Sequence, residues 1–178
     1  MLIVLGGLPG VGKTTIARAL ARSLGAVHIR IDSIELAIRE SGVTVVALDD
    51  AGYRVGYVVA EDNVRLGRTV IADSVNPLPI TREAWRAVAH RAQVKLVEVE
   101  VVCSDQREHR RRVEERLHRP PASGGPTWAE VIDRDYRAWD RDHVVIDTAG
   151  QSIEQLVAHL QTVLLDTKNT QSANIRVP

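Results

Sequence analysis

The sequence has no phenylalanine, one cysteine and one methionine, and aromatic residues make up only 3% of its 178 positions. A single cysteine rules out an internal disulfide. Cys103, at the end of an apolar stretch, is therefore expected to be a buried small hydrophobe in a protein of a reducing, cytosolic compartment. No apolar run approaches the roughly 18 residues that a membrane span requires, and with Met1 leading straight into an apolar stretch no signal peptide is expected. Net charge is missing too. The 23 Lys plus Arg balance the 23 Asp plus Glu, which removes the global basic footprint of a nucleic-acid binder. Lysine itself is scarce, at positions 13, 95 and 168 only. The length suits one domain, able to bury roughly 70% of the surface its unfolded chain exposes.

What is present begins at once. Gly7, Leu8, Pro9, Gly10, Val11, Gly12, Lys13 and Thr14 satisfy every fixed position of G-x-x-x-x-G-K-[ST]. The apolar run 2–5 before it reads as a buried strand. Positions 13–24 after it read as a helix, with Ile16, Leu20 and Leu24 at four-residue spacing and Gly25 as the stop. A glycine-rich turn between strand and helix presents backbone N–H groups at a helix N-terminus, where aligned dipoles favour an anion. Lys13 adds a point charge for β- and γ-phosphates, and the Thr14 hydroxyl can ligate Mg²⁺. The expected ligand is a nucleoside triphosphate, with ATP and Mg²⁺ as cofactors.

Short apolar strands alternate with amphipathic helices along the rest of the chain, the pattern of a parallel α/β sheet. Strands are expected at 2–5, 27–31, 69–72, 94–102 and 143–146, and helices at 13–24, 33–40, 50–66, 80–92, 104–118, 128–138 and 152–164. Thr127 with Glu130, and Ser152 with Gln155, have capping-box spacing. Gly67 reads as a helix stop. Positions 119–126 form a Pro/Gly-rich loop, and from Asp166 onward the polar residues lack periodicity and are expected to fray. That sets a domain at 1–165, with a lid at about 105–127, and a tail at 166–178.

Ligands of open parallel sheets bind beyond the C-terminal ends of the strands, so the residues following each strand carry the candidate chemistry. Asp32, closing the second strand, suits a general base for an attacking hydroxyl; it equally suits a helix cap. Asp73, after an apolar triplet, has the form of a metal-holding acid, or of a turn residue. The helix after Cys103 is rich in arginine. Glu108 with Arg112 and Glu115 with Arg119 have the spacing of ordinary helix ion pairs, yet Arg112 and Arg116, one turn apart before a Pro/Gly-rich loop, suit a lid that takes up transition-state charge. Tyr53 and Tyr57 lie one turn apart behind Asp49 and Asp50 and serve either as packing or as a substrate wall. Asn76 and Arg82 follow Asp73 closely enough to line the same cleft, or belong to a turn and a surface.

Together, Gly7 through Thr15, Asp32 in Arg-Ile-Asp-Ser, Asp73-Ser-Val-Asn76 with Arg82 and Trp85, and Arg112-x-x-x-Arg116 resemble the small P-loop kinases, the AAA-domain predicted kinases. Chloramphenicol phosphotransferase, zeta toxins, gluconate and shikimate kinases and 5′-hydroxyl polynucleotide kinases belong to this wider group. The resemblance covers roughly positions 1–150. It implies a three-layer P-loop NTPase fold with a five-stranded parallel sheet in order 2-3-1-4-5 and a helical lid. It further implies that Asp32 activates the acceptor, that Arg112 and Arg116 belong to the lid, and that Asp147-Thr148-Ala149 passes the adenine. Polynucleotide kinases carry an arginine three residues after the acidic base, where this chain has Glu35. A carboxylate there repels a phosphodiester and favours a neutral or cationic small molecule. The expected function is ATP- and Mg²⁺-dependent transfer of phosphate to a small-molecule hydroxyl. A nucleic-acid or nucleotide kinase, and a nucleotide switch or ATPase without an acceptor, are the alternatives.

Overall fold

The computed structural model describes residues 1–42, 50–118 and 125–172. The chain runs β1 (Leu2–Gly6), α1 (Lys13–Leu24), β2 (Val27–Arg30), α2 (Ile31–Glu40), α3 (Ala51–Arg65), β3 (Val70–Asp73), α4 (Pro79–Arg91), β4 (Leu96–Val102), α5 (Gln106–Leu117), α6 (Trp128–Ile132), β5 (Val144–Asp147) and α7 (Ile153–Ser172). All strand pairings among these residues are parallel, in the order β2-β3-β1-β4-β5. This is the sheet the resemblance implied.

Every residue of β1 is buried, as a central strand with both faces covered must be. Ile3 and Leu5 face a core shared with Ile16 and Leu20 of α1 and Leu156 and Leu160 of α7. Leu2 and Val4 face the opposite core, with Ala60 and Val64 of α3 and Trp85 and Val88 of α4. Trp85 is fully buried and meets Tyr57 edge-on at 4.5 Å between centroids. Two helical layers thus pin β1, and with it the start of the phosphate loop.

Three boundaries depart most from expectation, each for a physical reason. The second strand ends at Arg30, whose extended backbone (φ −108°, ψ 117°) caps α2, so Asp32 lies in the first turn of a helix and not at a strand end. The helix expected over 128–138 stops at Ile132 after five residues, although both halves of its Thr127/Glu130 capping box are made. Its continuation is held by tertiary bonds. The Arg137 N–H donates to the Pro77 carbonyl, and the Arg82 guanidinium takes the carbonyls of Arg137 and Ala138. α7 continues to Ser172, past the expected end, because no Gly or Pro interrupts 166–172 and each added residue gains a helix hydrogen bond. Cys103 is half-buried against the β1/α1 core, not fully buried. Asp49, Arg119 and positions 119–124 of the expected loop lie outside the described residues.

Candidate active site

The phosphate loop follows from backbone freedom at its glycines. Gly7 (φ 138°) approaches β4 so closely that a Cβ there would run into the Val101 carbonyl oxygen, and Gly10 (φ 88°) would place a Cβ 2.5 Å from Val113 Cγ2. Both are positions that L side chains rarely adopt. Gly12, also left-handed, leads into α1. Lys13 is 8% exposed, and its Nζ donates to the Leu8 carbonyl at 2.9 Å, folding the side chain back along the loop. Burial pushes its ammonium down to about 8, against the upward pull of Asp73 and Asp32.

Asp73 stands at the C-terminal end of β3, 2% exposed. Its carboxylate meets the Thr14 hydroxyl and, at 3.2 Å, His28 Nε2. Burial pushes the carboxyl up, but the His28 bond, the Lys13 charge and the Thr14 bond outweigh it and hold it below the usual range. A hydroxyl and an ionised carboxylate side by side at the mouth of a phosphate loop are the hard oxygen donors that Mg²⁺ prefers, the remaining positions falling to phosphates and water. Among the described residues no cluster of three His, Cys, Asp or Glu could hold a metal without such help.

Asp32 lies near the same group, close enough to act on Lys13. Its Oδ2 accepts from Arg30 Nη2 at 2.5 Å and lies 3.9 Å from Arg116 Nη2. Arg116 therefore reaches from α5 to α2, and both Arg116 and Asp32 lie close enough to act on the Lys13 charge. Glu35, one turn beyond Asp32, is half-buried and 3.5 Å from Arg39. Burial pushes its carboxyl up, Asp32 adds to the rise, and Arg39 and Arg134 oppose it. Gly52 of α3 leaves room for it, since a Cβ there would overlap Glu35 Cγ. Tyr53 accepts the Asn76 N–H at 3.0 Å, bringing α3 against the β3 turn.

Two other expected site residues, Arg82 and Tyr57, are committed to contacts within the protein. Arg82 is fully buried and gives its guanidinium to the carbonyls of Asn76, Pro77, Arg137 and Ala138, with the Trp139 ring 4.8 Å away. It ties the chain after α6 to the β3 turn and presents no free group to a substrate. Tyr57 donates to the Thr81 carbonyl at 3.3 Å and packs on Trp85, so it is wall packing. Asn76, left-handed at φ 52° and fully buried, has neither amide atom hydrogen-bonded.

Helix α5 is anchored at two points. Arg112 donates through Nη1 to Thr148 Oγ1 at 2.8 Å and through Nη2 to the Thr148 carbonyl at 3.1 Å and to Glu108 at 2.6 Å. Thr148 Oγ1 also lies 2.8 Å from the Val11 carbonyl, which places the loop after β5 against the phosphate loop. The neighbouring Asp147 accepts the N–H groups of Ser104 and Ala149, each at 3.0 Å, and so orders two turns. His109 is 6% exposed, and its Nε2–H donates to the Pro9 carbonyl at 2.8 Å, which fixes the tautomer. Burial and the Lys13 and Arg112 charges push its pKa down, against the Pro9 bond.

Four residues of this site escaped sequence reasoning: His28, Arg30, His109 and Arg134. His28 and Arg30 had a signal, since they alternate on one face of a strand that leads to Asp32. His109 and Arg134 had none, because their partners are brought in by folding.

A family model described as an AAA domain matches residues 2–134. No curated protein matches the sequence at a significant level. Among solved structures, a protein from Chloroflexus aurantiacus assigned as a kinase is 18% identical, with 90% of this chain and 96% of that one covered at a TM-score of 0.73. Mycobacterium tuberculosis APS kinase CysC, in complex with AMPPNP and APS, is 20% identical over 92% and 96% at 0.71. A Sinorhizobium meliloti gluconokinase is 18% identical over 97% and 96% at 0.64.

Proposed function

Because the chain belongs to this AAA-domain family, we propose that it is an ATP- and Mg²⁺-dependent phosphotransferase that moves the γ-phosphate to a hydroxyl of a small molecule. One observation carries the reading: Lys13, Thr14 and Asp73 cluster at the phosphate loop, Asp32 lies close enough to act on the Lys13 charge, and Arg116 comes within 3.9 Å of Asp32. The folds of an APS kinase and a gluconokinase accord with it.

In this account the amides of Gly7–Thr14 and Lys13 hold the phosphates, and Thr14 and Asp73 hold the metal. Bound Mg²⁺ would neutralise phosphate charge and orient the triphosphate. Asp32 accepts the proton of the attacking hydroxyl. Arg116, and Arg112 once released from Thr148, take up charge on the transferred group. Glu35 and the zero net charge speak for a neutral or cationic acceptor and against a polynucleotide.

The test is incubation of the protein with γ-labelled ATP, Mg²⁺ and a pooled library of sugars, polyols, amino alcohols and hydroxylated antibiotics. Label should appear on an organic acceptor, and Lys13→Ala should abolish it. Label released only as inorganic phosphate would favour a nucleotide switch instead.

A further inference from the structure

Arg30 is not required by a phosphate loop, yet it sits between the two acidic residues that matter most. β2 and β3 run parallel with Arg30 directly opposite Asp73, so the two side chains emerge at the same level of the sheet. The guanidinium then spreads over three partners. Nη2 donates to Asp32 Oδ2 at 2.5 Å, Nη1 to Ser33 Oγ at 3.3 Å, and Nε lies 3.9 Å from Asp73 Oδ2. Nε is buried and donates to no group among the described residues, a costly state for an N–H group. A shift of about one ångström would bring it within hydrogen-bond distance of Asp73.

The contacts on Asp32 are one-sided. Arg30 and Arg116 both approach Oδ2, and among the described residues no hydrogen bond reaches Oδ1 of this carboxylate, which is 47% exposed. An acceptor hydroxyl can therefore meet only one oxygen of Asp32 without competing with an arginine.

We infer that Arg30 is a positioning residue for phosphoryl transfer. It holds Asp32 by Oδ2 so that Oδ1 faces the acceptor, and it links that carboxylate to Asp73, fixing the acceptor half of the site to the metal half. The inference rests on the phosphotransferase reading. In the step it serves, the acceptor oxygen forms a bond to the γ-phosphorus as its proton passes to Asp32 Oδ1. The bond from that phosphorus to the bridging oxygen breaks, leaving ADP. A rigid planar fork can touch two carboxylates in fixed geometry, whereas a lysine offers one point charge on a flexible stem.

The test compares wild type, Arg30→Ala and Arg30→Lys as full chains. The readouts are single-turnover transfer of γ-phosphate from Mg-ATP to water, binding of a fluorescent ATP analogue, and thermal melts as a folding check. Arg30→Ala should lose about 10²-fold in rate, the scale of a one-ångström misplacement, with analogue affinity within about threefold of wild type. Added guanidinium should restore at least about tenfold of the lost rate by refilling the vacated fork site, and Arg30→Lys should stay impaired. An Arg30→Ala rate equal to wild type overturns the inference. So does a loss that guanidinium fails to restore, or one matched by lost analogue binding, since either marks a merely structural role. A wild-type chain that transfers γ-phosphate neither to water nor to any acceptor of the pooled library instead contradicts the phosphotransferase reading and removes this inference with it.

Discussion

Lys13 carries its charge in a buried place, with its ammonium pushed down to about 8. A lysine is charged below its pKa, so the cation is complete well below pH 8 and is lost as pH rises through that value. A bound triphosphate favours the charged form and raises the pKa again. ATP binding at roughly pH 8.5 should therefore take up a proton, and at roughly pH 6.5 this group should take up none. Calorimetry in buffers of different ionisation enthalpy reads the difference directly, and equal proton uptake at the two pH values would contradict the burial of Lys13. At Gly7 steric overlap decides. An alanine there must both hold φ 138° and displace the Val101 carbonyl, so Gly7→Ala should cost several kcal/mol and abolish nucleotide binding, measured by denaturant unfolding and fluorescent-ATP titration.

Between elements, the informative residue is Arg82. Its place in the sequence suggested a cleft, but its guanidinium binds four backbone carbonyls and holds the segment after α6 against the β3 turn. Arg82→Met should therefore act through stability, with a loss of about 3 kcal/mol from the carbonyls left buried and unpaired, seen as a lower urea midpoint. Substrate affinity that drops while the midpoint stays fixed would return Arg82 to the cleft. The same residue shows what a sequence can and cannot disclose. Strand and helix order, the phosphate loop and both capping boxes are local patterns of hydrophobic period or turn chemistry, and they are present in the structure. The early stop of α6 depends on Arg82, 55 residues away from Arg137, and the His109 brace on Pro9 spans 100 positions. Asp32 shifted from strand end to helix start because Arg30 is extended and Ile31 is buried, which no local period distinguishes.

For the whole molecule, the balance of charge decides between acceptors. Equal numbers of acidic and basic residues, with Glu35 beside Asp32, should give weak oligonucleotide binding with a shallow dependence on salt, well short of the slope of several phosphate contacts. Fluorescence anisotropy across a salt series checks this, and steep dependence would favour the nucleic-acid kinase. No helix among the described residues is long and apolar enough to cross a membrane. The larger arrangement is a parallel sheet with the phosphate loop and Asp73 at its C-terminal edge, and α5 braced onto that loop by His109 and onto the last loop by Arg112.

The central claim is that Asp32 and the phosphate loop form the two halves of one transfer site. Its most direct test is the partition of γ-phosphate between an organic acceptor and water, measured for wild type and for Asp32→Asn at saturating Mg-ATP. The account predicts transfer to an acceptor by wild type, and a fall of about 10²- to 10⁴-fold in Asp32→Asn with ATP affinity unchanged. Transfer by Asp32→Asn at the wild-type rate, or label from wild type recovered wholly as inorganic phosphate, would contradict it.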